Sequence, residues 1–387
     1  MRSVNYIAKN NLTLLHCGAE FFPALVAAMD AATAEIYLET YIFATDGIGD
    51  AVKAALKRAA ARGVTVHLIT DWHGTGRRQV NQLKLEFNDS GVHHRSFNPW
   101  FRRGVARSHR KICVVDRRIA FVGGLNINDD LLSDDMSYRT LAAPRWDYAV
   151  MLRGPLVDVI QREVEAQWAR LGKLDLVSRF ELYKELRATR KIMSHDPALA
   201  ALVVRDNLRN RRTIQRAYLR AMGSARKSVL LANPYFAPGR KLRNALASAA
   251  ARGVDVTLLI GVGQFRLQDS VAHSFYPKLL KSGVKVVEYR KTQLHAKVAV
   301  VDDVWATVGS SNCDGLSLFV NQEANIVAKD AAFAKILRQK IQHGIAEGVP
   351  VRIEDFANIV WFKRVWYGIS YMIYKSIMRV ITLGSYT

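Results

Sequence analysis

Short apolar runs rich in β-branched residues alternate along this chain with alanine-rich stretches, and most of them occur twice. Lys111-Ile112-Cys113-Val114-Val115 and Lys297-Val298-Ala299-Val300-Val301 are each bounded by charged or glycine-rich segments, so each is predicted to be a buried strand. Ala34 to Phe43 pairs with Ser228 to Ala237. Arg62-Gly63-Val64-Thr65-Val66 pairs with Arg252-Gly253-Val254-Asp255-Val256, each after a helical alanine-rich stretch, and Gly91-Val92 pairs with Gly283-Val284. Strands alternating with helices predict α/β layers. A repeat near 190 residues is a duplicated domain and not a solenoid.

The offset between the copies changes along the chain. It is 192 at Gly91/Gly283, 186 at His109/His295 and 176 at Asp147/Glu323, so the first copy carries six extra residues before His109 and ten more after Asn126. The first insertion contains Asn98-Pro99-Trp100-Phe101-Arg102-Arg103, a basic, aromatic stretch expected to form a loop over the mouth of a site and to meet lipid head groups. The division expected is a first domain over 1–170, a basic helical connection over 171–212, a second domain over 213–347 and an amphipathic tail over 348–387.

Candidate chemistry sits on the paired strands. His109-Arg110-Lys111, Asp116 and Gly123-Gly124-Leu125-Asn126 return as His295-Ala296-Lys297, Asp302 and Gly309-Ser310-Ser311-Asn312. In both copies Lys follows His by 2 residues, Asp by 7 and Asn by 17, a motif of eighteen residues. Alternation along a strand puts each His and Lys on one face and each Asp on the other parity, where a strand-capping role is expected. Two imidazoles across one phosphorus can divide the work of nucleophile and general acid. Two lysines and two asparagines then stabilise the non-bridging oxygens, so the set supplies its own cations and no metal or other cofactor is expected. Asp147 and Glu323 open strands near the two poles. Each is expected to accept the Nδ1 proton of the histidine in its own copy and to fix its tautomer. Glu39 and Asn233 occupy equivalent strand ends, where Glu39 either lines the pocket or caps a neighbouring helix.

These motifs resemble the HxKxxxxD signature of the phospholipase D superfamily over nearly the whole chain, and within it the bacterial cardiolipin synthases of the B type. The supporting residues include Glu39 to Phe43, His109 to Lys111, Gly123 to Asn126, Asp147 to Val150 with Gly154-Pro155, and Val308 to Asn312. The resemblance implies two duplicated phospholipase D-like α/β/α sandwich domains packed as a pseudo-twofold pair. The site would comprise His109, Lys111, Asp116, Asn126, His295, Lys297, Asp302, Asn312, Glu323 and Asp147. It implies a phosphatidyltransferase that makes cardiolipin from phosphatidylglycerol or a related phospholipid through a phosphohistidine, with His109 as the nucleophile on resemblance alone. A phospholipase D-type hydrolase and a nucleic-acid phosphodiesterase use the same site and are the competing readings; a non-enzymatic membrane-binding module is disfavoured by two intact residue sets.

Composition narrows the partner. A net charge of +22 calls for an anionic one, nucleic acid or membrane. Many of the charges fall in the connection, at Arg187, Arg190, Lys191, Arg205, Arg209, Arg211, Arg212 and Arg216. The tail favours lipid. From Asn358 to Leu383 it is dense in Ile, Val, Trp, Tyr and Met, and Arg364, Lys375 and Arg379 lie within about 60° on a helical wheel. Only ten residues separate Arg364 from Lys375, too few to cross a bilayer, so an in-plane anchor is expected and nucleic acid is the unlikely partner. The segment Met1 to Asn11 has no apolar signal-peptide core. The expected location is peripheral, on the cytoplasmic face of a bacterial inner membrane. Cys17, Cys113 and Cys313 show no CxxC spacing and are expected as buried thiols in a reducing compartment. Absence of GxxxxGK[ST] and GxSxG patterns argues against nucleotide hydrolysis and a serine-hydrolase elbow.

Overall fold

A computed structural model describes residues 4–102, 104–133, 139–172, 199–207, 209–357 and 359–382. Arg103, Arg187, Arg190 and Lys191, named above, lie outside the described residues.

The duplication is written into the topology. The first sheet contains β1 (Asn11–His16), β2 (Glu35–Thr40), β3 (Thr65–Asp71), β4 (Val92–Phe97), β5 (Ile112–Val115), β6 (Ile119–Gly123) and β7 (Tyr148–Arg153), in spatial order β1-β7-β6-β5-β2-β3-β4. The second contains β8 (Leu199–Arg205), β9 (Ser228–Asn233), β11 (Asp255–Gly261), β12 (Lys285–Tyr289), β13 (Val298–Val301), β14 (Trp305–Gly309), β16 (Glu323–Lys329) and β17 (Val349–Val351). Its order is β17-β12-β11-β9-β13-β14-β16-β8, the same sequence of equivalent strands with β17 added at one edge. The short strands β10 (Phe236–Ala237) and β15 (Cys313–Asp314) pair beside it.

Each sheet is covered by helices on both faces, the α/β/α arrangement expected. Outer helices at 17–30, 47–61 and 77–87 cover the first sheet, and the equivalent 213–224, 240–251 and 266–281 cover the second. Each alanine-rich helix ends at an arginine followed by a glycine in the left-handed region (Gly63, φ +87°; Gly253, φ +85°), which turns the chain into the next strand. The inner faces meet. Val114, Val122 and Val150 of the first sheet share one apolar core with Val298, Val308 and Ile326 of the second, and the 156–171 and 331–347 helices pack into it.

Two boundaries differ from expectation. The connection is not helical throughout, because 199–205 is strand β8, antiparallel to β16 at the edge of the second sheet. Arg205, counted among the charges of that connection, is buried and donates to the carbonyls of Asn321 and Phe319. The tail likewise begins as β17 on β12 before the 361–381 helix starts.

Candidate active site

The histidine motifs enter their strands through extended segments that cross between the halves. Ser108 bridges Gln322 and Trp146 bridges Leu294, both in parallel pairing. The amide of His109 donates to the Gln322 carbonyl at 2.9 Å, and that of His295 to the Trp146 carbonyl at 2.9 Å. Each His-x-Lys segment is thereby laid beside the carboxylate-bearing segment of the opposite copy.

The consequence is a crossed pairing. His109 Nδ1 lies 3.1 Å from Glu323 Oε2, and His295 Nδ1 lies 2.6 Å from Asp147 Oδ2. The expectation that each carboxylate serves its own copy's histidine is therefore corrected. Within one sheet β6 separates β5 from β7, and β14 separates β13 from β16, whereas the interdomain bridges set each histidine segment directly beside the carboxylate segment of the other copy. Both carboxylates are fully buried, and so are the two lysines. Lys111 Nζ donates to the His109 carbonyl at 2.8 Å, and Lys297 makes the same bond to His295. Lys297 also stands 3.9 Å from Asp147.

Local sequence explains the small differences between the two pairs. A Cβ on Gly124 would meet Asp147 Oδ1 at 2.3 Å, so glycine there is the condition for the shorter carboxylate to reach across. Ser310 holds the equivalent place in the second copy. Its hydroxyl donates to Glu323 at 2.5 Å while its carbonyl accepts from His109 Nδ1 at 3.0 Å.

Electrostatics tune the cleft. Burial lowers the pKa of His109, the Lys111 charge lowers it further, and Glu323 opposes both; Lys297 of the other copy adds to the lowering. Burial pushes the Asp147 carboxyl up to about 6, against the pull of Lys297 and Lys111. The crossed pairs, with Lys297 3.9 Å from Asp147, bring the two motifs together between the halves. Asn126 lines a small void with Asp147 and His295, and its Oδ1 accepts from the Ile42 amide at 3.2 Å. Asn312 is buried at the equivalent turn, its Oδ1 without a hydrogen-bond partner among the described residues.

Asp116 and Asp302 are not brought to the cleft, and their place in the catalytic set is corrected. They open the β5–β6 and β13–β14 hairpins with φ of +51° and +53°, about 16 Å along the strand from the lysines. Asp116 accepts from the amides of Thr33, Ala34 and Glu35, and Asp302 from those of Arg226, Lys227 and Ser228. Burial would raise both carboxyl pKa values, but these donors outweigh it and hold them below the usual range. They cap, as their parity implied.

Residues outside the sequence-derived catalytic set complete the first pole. The ring of Tyr41 lies edge-on to His109 at 4.8 Å, with Lys111 Nζ 5.2 Å from its centroid. Buried Arg110 forms a two-nitrogen contact with Glu39 (3.1 and 2.7 Å) and a third with Glu163 at 2.8 Å. Glu39 also accepts from the Ser108 hydroxyl at 2.5 Å, so it braces the segment carrying His109 and caps no helix. Asp71 accepts from the Ser108 amide at 2.8 Å, and burial raises its carboxyl to about 6 against three amide donors. The signal for Arg110 and Glu39 lay in the comparison of copies: where the first has an Arg and a Glu, the second has Ala296 and Asn233. The aromatic insertion stands beside this pole. Phe101 contacts His73, whose ring nitrogen contacts Arg107, and Arg107 donates to the Tyr41 hydroxyl at 3.2 Å. Trp100 and Phe101 remain about half exposed at its tip, at 57% and 51%.

Comparison with known proteins agrees with this geometry. The family model described as cardiolipin synthase, PLD-like domain, matches residues 25–138 and 218–345, one block in each half. Cardiolipin synthase B of Salmonella typhi is 39% identical over 86% of this chain and 80% of its own. Cardiolipin synthase B of Escherichia coli (strain K12) is 37% identical over 93% and 86%. Among solved structures, phosphatidylserine synthase of Haemophilus influenzae Rd KW20 superposes with a TM-score of 0.73 over 98% of this chain and 97% of its own, at 13% identity, a likeness of fold. With one matched block in each copy of the His-x-Lys motif, this chain belongs to the cardiolipin synthase family of phospholipase D-like proteins.

Proposed function

We propose that this protein makes cardiolipin by transferring a phosphatidyl group from one phospholipid to the hydroxyl of phosphatidylglycerol. The crossed His–carboxylate pairs carry the reading. With each Nδ1 engaged, Nε2 is the nitrogen each ring offers for chemistry. His109, kept neutral by burial and by Lys111, attacks phosphorus through Nε2. The phosphorus–oxygen bond to the leaving alcohol breaks as His295 donates its proton to that oxygen, leaving a phosphohistidine. His295 then takes the proton of the incoming hydroxyl, whose oxygen attacks phosphorus and releases His109. Asp147 and Glu323 stabilise the imidazolium that each partner ring becomes, and Lys111, Lys297, Asn126 and Asn312 stabilise the non-bridging oxygens.

The anionic phospholipid is met at a membrane surface, peripherally and on the cytoplasmic face. No helix among the described residues is long and apolar enough to cross a bilayer. The 361–381 helix instead has two faces. Ser370 and Met378 are buried against the second half, and Trp366 Nε1 donates to Ser270 at 3.0 Å. Trp361, Phe362, Val365, Ile369, Met372 and Val380 are exposed, with Lys363, Arg364, Lys375 and Arg379 among them. That is the composition of a helix lying in the head-group plane.

Incubation with labelled phosphatidylglycerol vesicles, followed by lipid chromatography, tests the reaction. The expected products are cardiolipin and free glycerol. Phosphatidic acid alone would make water the acceptor and overturn the synthase reading. Acid-labile label trapped on His109 tests the intermediate, and full activity in His109→Ala would remove it.

A further inference from the structure

Outside the cleft, a cavity of about 510 Å³ lies between the 266–281 helix and the 361–381 helix, within the ~300–1,000 Å³ range of ligand sites. Its interior is formed by Pro277, Ile353, Phe356, Tyr367 and Tyr371. Lys281 and Arg364 are the lining cations, both exposed, and no Asp or Glu lines the cavity among the described residues. The membrane-facing helix contributes a glycine to this wall. A Cβ built on Gly368 meets nothing within 4 Å, so no steric clash there requires glycine. Glycine inside a helix costs on the order of 1 kcal/mol relative to alanine, and helical packing does not require it here. His273 lines this cavity and also a second one of about 600 Å³ that reaches Leu294, the neighbour of His295. The two cavities thus adjoin at His273.

We infer that the cavity between these two helices binds one anionic phospholipid, an acyl chain in the apolar interior and the phosphate at Lys281 and Arg364, as a site distinct from the catalytic cleft. This inference rests on the reading of the 361–381 helix as lipid-facing. The open rim, apolar interior and unopposed positive charge match an anionic amphiphile. A zwitterionic lipid has an ammonium that two cations repel, and a free phosphate leaves the apolar interior empty. A lipid held there would tie the helix to the second half through the bound molecule itself.

The test uses full-length protein carrying His109→Ala to prevent turnover. It is photolabelled with a diazirine-bearing short-chain phosphatidylglycerol below its micelle concentration, and the labelled peptides are mapped. Label is expected on the 266–281 and 361–381 helices, competed by unlabelled phosphatidylglycerol and poorly by phosphatidylcholine. Gly368→Leu is expected to reduce that label about tenfold while leaving label on the peptide holding His295, and Gly368→Ala to reduce it far less. Lys281→Gln with Arg364→Gln is expected to abolish the preference for phosphatidylglycerol. Label on the two helices that persists in Gly368→Leu, or that phosphatidylcholine competes equally, overturns the site. Flotation with phosphatidylglycerol vesicles separates this from the surface reading. Protein that floats yet takes no label on these helices lacks the site and keeps the surface, whereas protein that does neither loses both.

Discussion

Arg110 shows how one residue can matter through what it leaves behind. Glu39 and Arg110 are both buried and satisfied by each other. Removing one partner of such a pair typically costs about 3–5 kcal/mol, because the other charge stays buried and unpaired. Arg110→Ala is expected to lose stability on that scale in urea denaturation. Glu39→Asn with Arg110→Ala, which copies the second half, is expected to lose much less. Asp147→Asn keeps shape but removes the acceptor that orients His295, so kcat is expected to fall on the order of 10³–10⁴ with little change in melting temperature. Wild-type kcat in that variant would show that the carboxylate does not act through the ring. The depressed pKa of His109 also has a direction to test. In the proposed mechanism attack needs the neutral ring, which is lost as pH falls through its pKa, so the acid limb of kcat/KM is expected below the ordinary imidazole value of about 6.5. Lys111→Met removes a charge that holds the pKa down, and the limb of its residual activity should move to higher pH. These residues were unequally legible. His109, Lys111, His295 and Lys297 stood out because two copies repeat them at one spacing. Arg110 was hidden because a motif comparison rewards sameness, and Glu39, though singled out, had no legible partner until the structure set Arg110 against it.

At the scale of elements, alternation and alanine-rich periodicity were enough to find the strands and helices that carry the site. Pairing between chain segments distant in sequence was not legible, and the crossed carboxylates depend on it. Nothing in Trp146 or Gln322 announces a partner some 150–210 residues away, since backbone hydrogen bonds are indifferent to side-chain identity. Strand β8 was missed because its one arginine, Arg205, was counted among the charges of a helical connection, whereas it spends its donors on buried carbonyls. The C-terminal helix was expected as an in-plane anchor, and one of its faces is instead buried on the second half. Deleting it would expose the face that covers Ser270 and Val320, so substitution of the outer face is the cleaner probe. Each buried aliphatic side chain contributes about 1.5–3 kcal/mol. Val365→Asp with Ile369→Asp is therefore expected to weaken sedimentation with anionic vesicles at least tenfold, without altering the thermal melt.

The whole molecule is a single catalytic object despite its two sheets. The core between them draws on both copies, so each half alone would expose Val114 and Val122 or Val298 and Val308 to water. Each half would also hold a histidine without its carboxylate. Separately expressed segments ending and starting in the 173–198 connection are expected to be inactive singly, with activity returning on mixing only as the two associate, measured by cardiolipin formation against size-exclusion profile. The crossed bridges reach further than present activity. An imidazole served from across a pseudo-twofold axis would be equally complete in a symmetric pair of single-copy chains, each lending its acid to its neighbour. Joining two such copies end to end fixes their ratio at one to one and frees them to diverge, as Ala296 and Arg110 have, but it forbids the loss of either.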